Sequence, residues 1–564
     1  MLAATARVKG WSTWLVAGAL IAACGGGGQS STGAGAGGVG AGAGQGGSGA
    51  AGGGGAGVGG GGSDLCDAFG RFGVPTSTFT LPTETSTYYP DVQASFPEVD
   101  WQNLDRLYIP AGEYPSLNLG NLPERDPSKP LVITNLGGQV KIGPNDNGNF
   151  IWSMSGGSGW ILTGRYDPES QTGDEQFPGH RCGAYAESRG RYGFLSDDAF
   201  DLDAPYLHMG IAVSDASDFE IEHIEVTRSG FAGIRLLNKT PEVARPMANV
   251  KLHDTYVHDV DGEGIYLGWT GAPPSNLMPG LEVYDNRFIR TGNEALQVQN
   301  LGEGSHVHHN VMAYAAMHWR NNGLGAYQDS NSQIQIREGA IVVEENVFIG
   351  SAATLWSSFR GAEAGDGPAS ITFRNNYVAT NRVGLGAYFG GAADGTSSYL
   401  FEGNQFREVD FSYDLIDPSA TDSKTILRFA AEVTAPITLS NNRWEGDDQL
   451  VAGLGGPNGT TGSITATGNE NASVPPVVFV DAFAEAPLAL EFWCAVVTRH
   501  PSQPPRVYEV GELVIATDGK LYRATAQSQG QPPPDHPESW EVLPDPVDDF
   551  RVDPSSPYAG WGVR

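Results

Sequence analysis

Three short segments place acidic groups and a histidine at comparable positions. They read Asp259-Val260-Asp261-Gly262-Glu263-Gly264-Ile265, then Gly292-Asn293-Glu294-Ala295-Leu296, then Met317-His318-Trp319-Arg320. Two carboxyl groups held close together do not both ionise easily, so the pair divides into an acid and a base. Glycosidic bonds are hydrolysed by that division, with retention at carboxyl separations of about 5 Å and inversion at about 6.5–9.5 Å. Side-chain reach blurs adjacent-strand spacing across both ranges, so the stereochemistry stays open. Glu263 and Glu294 are the candidate acid and base, with His318 assisting and Asp261 beside them. A different chemistry, elimination or epimerisation of a uronate, needs a cation to neutralise the sugar carboxylate and a base for the C5 proton. Arg320, Arg337, His318 and Tyr327 are candidates for those parts. If the carboxylates do no chemistry, they are solvated turn residues or ligands of a structural cation.

What brings these groups together is a repeat. From about residue 219 the chain returns to an alternating triplet: Phe219-Glu220-Ile221, Val250-Lys251-Leu252, Leu281-Glu282-Val283, Ser305-His306-Val307, Ile341-Val342-Val343, Ile371-Thr372-Phe373, Tyr399-Leu400-Phe401, Ile437-Thr438-Leu439 and Ile464-Thr465-Ala466. Three residues beyond each triplet stand Ile224, Thr255, Asn286, Asn310, Asn346, Asn376, Asn404, Asn442 and Asn469. Intervals of 24 to 38 residues suit a coil carrying loops. Period-two alternation excludes helical repeats, and the interval is too short for four-stranded propeller blades. The pattern predicts an all-β protein, a right-handed single-stranded parallel β-helix whose coils share one core, with the asparagines forming a ladder up one corner.

Aligning the coils on that corner puts Ala232, Glu263, Glu294 and His318 in one row, with neighbours about 4.8 Å apart. Glu263 shares parity with Ile265 and Leu267, so strict alternation would bury an unpaired charge, which is very costly. The strand must begin after it, and Gly264 permits the bend; Ala295 is less permissive for Glu294. His306 and His308 share a face, but Val307 points inward and no third ligand is evident. That stretch reads as a solvated strand face, and no metal site is expected. The segment from Asn321 to Glu338 reads as a long insertion over a groove. Trp269, Trp319 and Trp356 suit stacking on sugar faces and equally suit coil packing.

Residues 90 to 475 resemble the pectate-lyase-like β-helix superfamily of polysaccharide lyases, polygalacturonase-type hydrolases and uronan epimerases. Leu107-Tyr108-Ile109-Pro110-Ala111-Gly112-Glu113-Tyr114 looks like its opening coil, continued by Leu131-Val132-Ile133-Thr134-Asn135 and Gln139-Val140-Lys141-Ile142. The resemblance implies a polysaccharide-acting enzyme, with catalytic groups at strand entrances on neighbouring coils. The Asn-Thr-Asp and Gly-His-Gly signatures of the polygalacturonase-like hydrolases are absent, which argues against pectin. Near the other end, Tyr508, Gly511, Val514, Gly519, Tyr522, Ala524, Pro533 and Trp540 resemble chitin- and cellulose-binding modules of the type 5/12 group. Tyr508, Tyr522 and Trp540, with Trp269, Trp319 and Tyr327, are the candidate sugar-binding residues. Ala524-Thr525-Ala526-Gln527 stands where those modules usually carry exposed tryptophans.

The expected organisation is a signal peptide over 1–24, a Gly-rich linker over 25–62, the β-helix over 63–490, a linker over 491–505, the small β module over 506–544 and a tail over 545–564. Arg7 and Lys9 precede an apolar run too short to span a bilayer. The run ends in Leu20-Ile21-Ala22-Ala23-Cys24, which resembles the bacterial lipoprotein cleavage motif and makes Cys24 the candidate for lipidation. Gly25 follows it, a pattern associated with the outer membrane. The next residues are nearly all glycine, alanine and serine, and form a flexible tether. Cys66, Cys182 and Cys494 then allow at most one disulfide.

Among 564 residues, 65 acidic and 33 basic side chains leave a formal charge of −32, which disfavours nucleic acid and anionic membranes as partners. The same charge opposes a polyanionic substrate unless Ca²⁺ bridges it, so Ca²⁺ enters only with the lyase reading. Three functions are weighed for a secreted, lipid-anchored monomer whose partner is a polysaccharide: glycoside hydrolase, lyase or epimerase, and non-catalytic glycan binder.

Overall fold

The computed structural model describes residues 72–564 apart from 145–149, 166–191, 199–207, 239–244, 269–275, 319–329, 351–353, 362–364, 380–385, 391–395, 408–424, 430–432, 447–448, 452–462, 483–489, 494–505 and 517. Cys24, Cys66, Cys182, Cys494, Trp269, Trp319, Arg320 and Tyr327 lie outside the described residues.

Each coil uses three short strands. One coil comprises Lys251–His253, Tyr256–Val260 and Glu263–Leu267; the next comprises Glu282–Tyr284, Arg287–Thr291 and Leu296–Leu301. Equivalent strands pair in parallel, with Lys251 opposite Glu282, Tyr256 opposite Arg287 and Ile265 opposite Leu296. The third strands of successive coils form one 12-stranded sheet, and the first two sets join in a 23-stranded sheet. This is a β-helix-type all-β solenoid with three faces. Its core is filled because alternate residues point inward. On the first face Ile221, Leu252, Val283, Val307, Val343, Phe373, Phe401 and Leu439 sit at matching positions, all at most 1% exposed.

The first two faces meet at the asparagine corner, where the ladder forms. Nδ2 of Asn286, Asn310, Asn346, Asn376, Asn404 and Asn442 each donates to Oδ1 of the asparagine one coil on, at 2.9–3.1 Å. Thr255 Oγ1 starts the column by donating to Asn286 Oδ1 at 2.7 Å. Each turn is sharp because the residue before the corner is left-handed, at φ 51° in Asp254, 53° in Asp285, 54° in His309 and 55° in Glu345. Asparagine satisfies the backbone that such a turn strands in the interior: Asn346 Nδ2 also donates to Val307 O at 3.0 Å.

The C-terminal region packs on the second face. Glu491–Phe492, at the start of the stretch read as a linker, pairs in parallel with Leu513–Ile515, which continues into an antiparallel sheet with Leu521–Ala524 and Trp540–Val542. Leu513, Ile515 and Leu521 join Ile289, Val311, Tyr314 and Met317 in one apolar cluster. The tail then runs along the solenoid as a strap, with Asp548–Val552 antiparallel to Phe479–Ala482. Arg564 closes on Asp285 with Nη2 to Oδ2 at 2.7 Å.

Candidate active site on the third face

The connection from the second to the third face changes length along the solenoid. It is short in three consecutive coils, from Thr227 to Ala232, Val260 to Glu263 and Thr291 to Leu296, and long on either side, from Asp197 to Met209 and Ala313 to Ser330. Asp261, Glu263, Asn293 and Glu294 belong to the short stretch. Its turns are tight: a Cβ on Gly292 would lie 1.7 Å from Asp261 O, so no other residue fits. Just before them, Arg228, Asp259 and Arg290 hold left-handed backbone at φ 57°, 51° and 54°, an uncommon conformation for such residues.

Paired side chains support that backbone. Arg290, 0% exposed, donates Nε to Asp259 Oδ1 at 2.6 Å and Nη2 to Asp548 Oδ2 at 2.7 Å. Asp548 also accepts from Tyr256 Oη, and His258 lies between Asp259 and Glu225 at 2.7 and 3.0 Å. The strap therefore reaches the turns that carry the candidate acids.

Glu263 and Glu294 are neighbours, since the Gly264 N–H donates to Glu294 O at 2.9 Å. The register argument expected the strand to begin after Glu263; it begins at Glu263 itself, running to Leu267, whereas the strand after Glu294 begins at Leu296. A Cβ on Gly264 would lie 2.5 Å from Ala295 O and 3.1 Å from Thr291 Cγ2, and Ala295 itself lies in the core. Glu263 is therefore not returned to the surface, and Ala232, paired with it, packs with Phe231 and Tyr266. Both glutamates are only 2% exposed. Burial raises the Glu263 carboxyl to about 7, opposed by a hydrogen bond to its own backbone and by Asn293, whose Nδ2 lies 3.4 Å from Oε1. Oε2 of Glu263 has no hydrogen-bond partner among the described residues.

His318 is not the fourth member of the row. The strand paired with Leu296–Leu301 is Ser330–Ile336, reached only after the long connection. His318 instead sits at the turn, its N–H donating to Gly292 O at 2.9 Å and its Nδ1 lying 3.0 Å from Asp261 Oδ1. Phe492 closes over its ring edge-on at 4.9 Å. The second half of the expected groove insertion is likewise a core strand, and Arg337 is held by Asp366 at 2.6 and 2.7 Å. Tyr508, Tyr522 and Trp540 form the core of the small module, with Tyr508 and Trp540 edge-to-face at 5.4 Å. Their faces are taken up by packing and do not present a surface for sugar.

Residues missed from the sequence lie along the same strands. Arg235, Tyr266, Gln297 and Gln333 occupy one register position on four successive coils. Each stands between inward residues (Ile234 and Leu236, Ile265 and Leu267, Leu296 and Val298, Ile334 and Ile336) and so faces outward. Phe150 and Phe231 flank them, 5.1 Å from the Arg235 guanidinium and 5.7 Å from the Tyr266 ring. The register that aligned the glutamates also aligns this row.

On the first face, Glu220, Glu222 and His253 form a cluster capable of holding a metal ion, with ligand atoms within 4.8 Å of one another. The carboxylate oxygens suit Ca²⁺, whereas the imidazole does not. Both His253 nitrogens are engaged at 2.7 Å, Nε2 by Glu220 and Nδ1 by Asp254. Burial opposes the charge on this ring, but those carboxylates outweigh it and raise the imidazole to about 10. A cation here would displace a proton from a closed network. The neighbouring His308 is half-buried and stacks at 5.0 Å on Tyr284, which stacks at 4.4 Å on His253.

No family model matches the chain, and no curated protein matches it. Similar solved structures include an alginate lyase from Paenibacillus sp. str. FPU-7, at 13% identity and TM-score 0.36, covering 60% of this chain and 97% of that one. A GH136 lacto-N-biosidase from Eubacterium ramulus is similar at 10% identity and TM-score 0.40, covering 65% of this chain and 62% of that one. Pectate lyase Pel9A is similar at 10% identity and TM-score 0.31, covering 87% and 93%. These likenesses are of low identity, and the fold rests on the strand registers above.

Proposed function

We propose that this protein is a polysaccharide-degrading glycoside hydrolase wound as a right-handed β-helix, exported and lipid-anchored through Cys24. Glu263 is the general acid, Glu294 the base, and the Asp261–His318 pair assists at the same turn. One observation carries this reading: a buried carboxyl at about 7, on a tight turn beside a second buried glutamate, keeps its proton near neutral pH and can pass it to a leaving oxygen. The right-handed winding follows from the strong preference of parallel crossover connections.

A uronan lyase or epimerase is the second reading, favoured by the Glu220, Glu222 and His253 donors for a cation. Purified protein incubated with a panel of polysaccharides separates the two: hydrolysis yields saturated reducing ends, and a lyase yields an ultraviolet-absorbing unsaturated uronate. Under the hydrolase reading Glu263→Gln lowers turnover by at least about 100-fold, the lower range for a general acid. Unchanged turnover in that variant removes Glu263 from the chemistry.

A further inference from the structure

Arg235 is a cation with no acid beside it among the described residues. Its side chain is half-buried on the outward row of the third face, one coil before Glu263 and three residues further along the paired strand. Among the described residues no carboxylate pairs with it, and its buried Nε has no hydrogen-bond partner. Other arginines of the solenoid face a carboxylate, Arg228 with Asp197, Arg290 with Asp259 and Asp548, and Arg337 with Asp366, while buried Arg125 is met by the carbonyls of Trp101, Leu104 and Lys129. Arg235 has neither a carboxylate nor, at Nε, a carbonyl to meet it among the described residues. A buried charge left unpaired destabilises the fold, so its retention beside a candidate site points to an external partner.

The surroundings fit an anionic group attached to a sugar. Phe150 holds the guanidinium by its face at 5.1 Å, which fixes the fork without neutralising it. Tyr266 and Gln297 follow at the same register position on the next two coils, adding an aromatic ring and an amide donor along the line a bound chain would take. A planar guanidinium with free N–H groups binds a carboxylate or a sulfate through two hydrogen bonds at once.

We propose that Arg235 is the specificity-determining residue of the third face, reading one carboxylate or sulfate of an acidic glycan laid across the coils. The inference rests on the third face being the substrate face, and it holds for hydrolysis and for elimination alike. The overall negative charge does not preclude it, because at about 0.15 M salt the Debye length is only about 8 Å and the contact is local.

The test is affinity electrophoresis of the full chain at that salt, in gels containing alginate, polygalacturonate, dextran sulfate or neutral pullulan. The expected result is retardation by at least one anionic polymer and none by pullulan; the uronate and sulfate arms show which group is read. Arg235→Met, which keeps the stem over Phe150, should weaken that binding by about tenfold or more, and Arg235→Lys should restore part of it, with circular dichroism confirming that both variants fold. Glu263→Gln should bind as tightly as the parent. Equal retardation by pullulan, no retardation by any anionic polymer, or undiminished binding by Arg235→Met overturns the proposal. Normal turnover by Glu263→Gln would instead defeat the acid assignment and leave the Arg235 comparison standing.

Discussion

Replacing Glu263 by glutamine should make the protein more stable, and only above mildly acidic pH. Glutamine keeps the shape of the side chain and an oxygen for Asn293 Nδ2, so the packing hardly changes. What it removes is a titration. In the unfolded chain the carboxyl has its ordinary value of 4.5, and in the folded protein burial raises it to about 7. Between those values the native state binds more protons than the unfolded state, so stability falls as pH rises through the window and the full penalty is present above about 7. At 1.36 kcal/mol per pH unit the penalty is about 3 kcal/mol. Urea unfolding of the parent and of Glu263→Gln at pH 4 and pH 8 measures it directly. The two should coincide at pH 4, and the variant should lead by about 3 kcal/mol at pH 8. A variant no more stable than the parent at pH 8, or one whose lead is the same at both values, refutes the reasoning.

Three further outcomes test the scaffold around this site. Asn346→Ala strips the acceptor from the Asn310 N–H and Nδ2 and the donor from Val307 O, all buried, and should cost about 3–5 kcal/mol in urea unfolding. Asn469→Ala, at the exposed end of the same ladder, should cost much less. Asp548→Ala leaves the fully buried Arg290 with Asp259 alone and should cost about 3–5 kcal/mol. Imidazole NMR should find His253 charged at pH 8 and His308 neutral at pH 4. Burial opposes the charge on both rings, but carboxylates flank His253 and raise it to about 10, whereas the charges of His306 and His309 add to the effect of burial on His308 and take it down to about 3.

The solenoid was legible because it is local and repeated. Seven asparagines three residues beyond an alternating triplet are a stacking rule written along the chain, and the hydrogen-bonded ladder is that rule in space. The pairing of Glu263 and Glu294 followed from it, but the return of Glu263 to the surface at Gly264 did not, since the strand begins at Glu263 and its carboxyl is buried. His318 was misplaced because the stretch from Ala313 to Ser330 delays the third-face strand, so counting from the corner ends in a connection. Tyr508 and Trp540 were misread because residue type does not tell a binding aromatic from a packed one in a module this small. Arg235, Tyr266 and Gln297 follow from the same register, but an outward row of mixed residue types does not differ in sequence from an ordinary solvent face. The strap was out of reach, since Asp548 meets Arg290 across 258 positions with no period to announce it.

That strap bears on why the site sits where it does. In a solenoid each coil is held mainly by its neighbours, so a penalty in one coil weakens that stretch of the stack rather than being shared by the whole fold. Glu263 imposes such a penalty, and the left-handed Asp259 and Arg290 add strain to the same turns. The tail answers with contacts that skip coils: Asp548 to Tyr256 and Arg290, Arg564 to Asp285, the Gly562 N–H to Glu345 O, and Tyr558 to Tyr377. It thereby ties the coils carrying the candidate acids to coils further along the stack. A buried acid that destabilises its own coil can persist where a segment distant in sequence offsets the local weakness, and the short turns of the third face lie beside that segment.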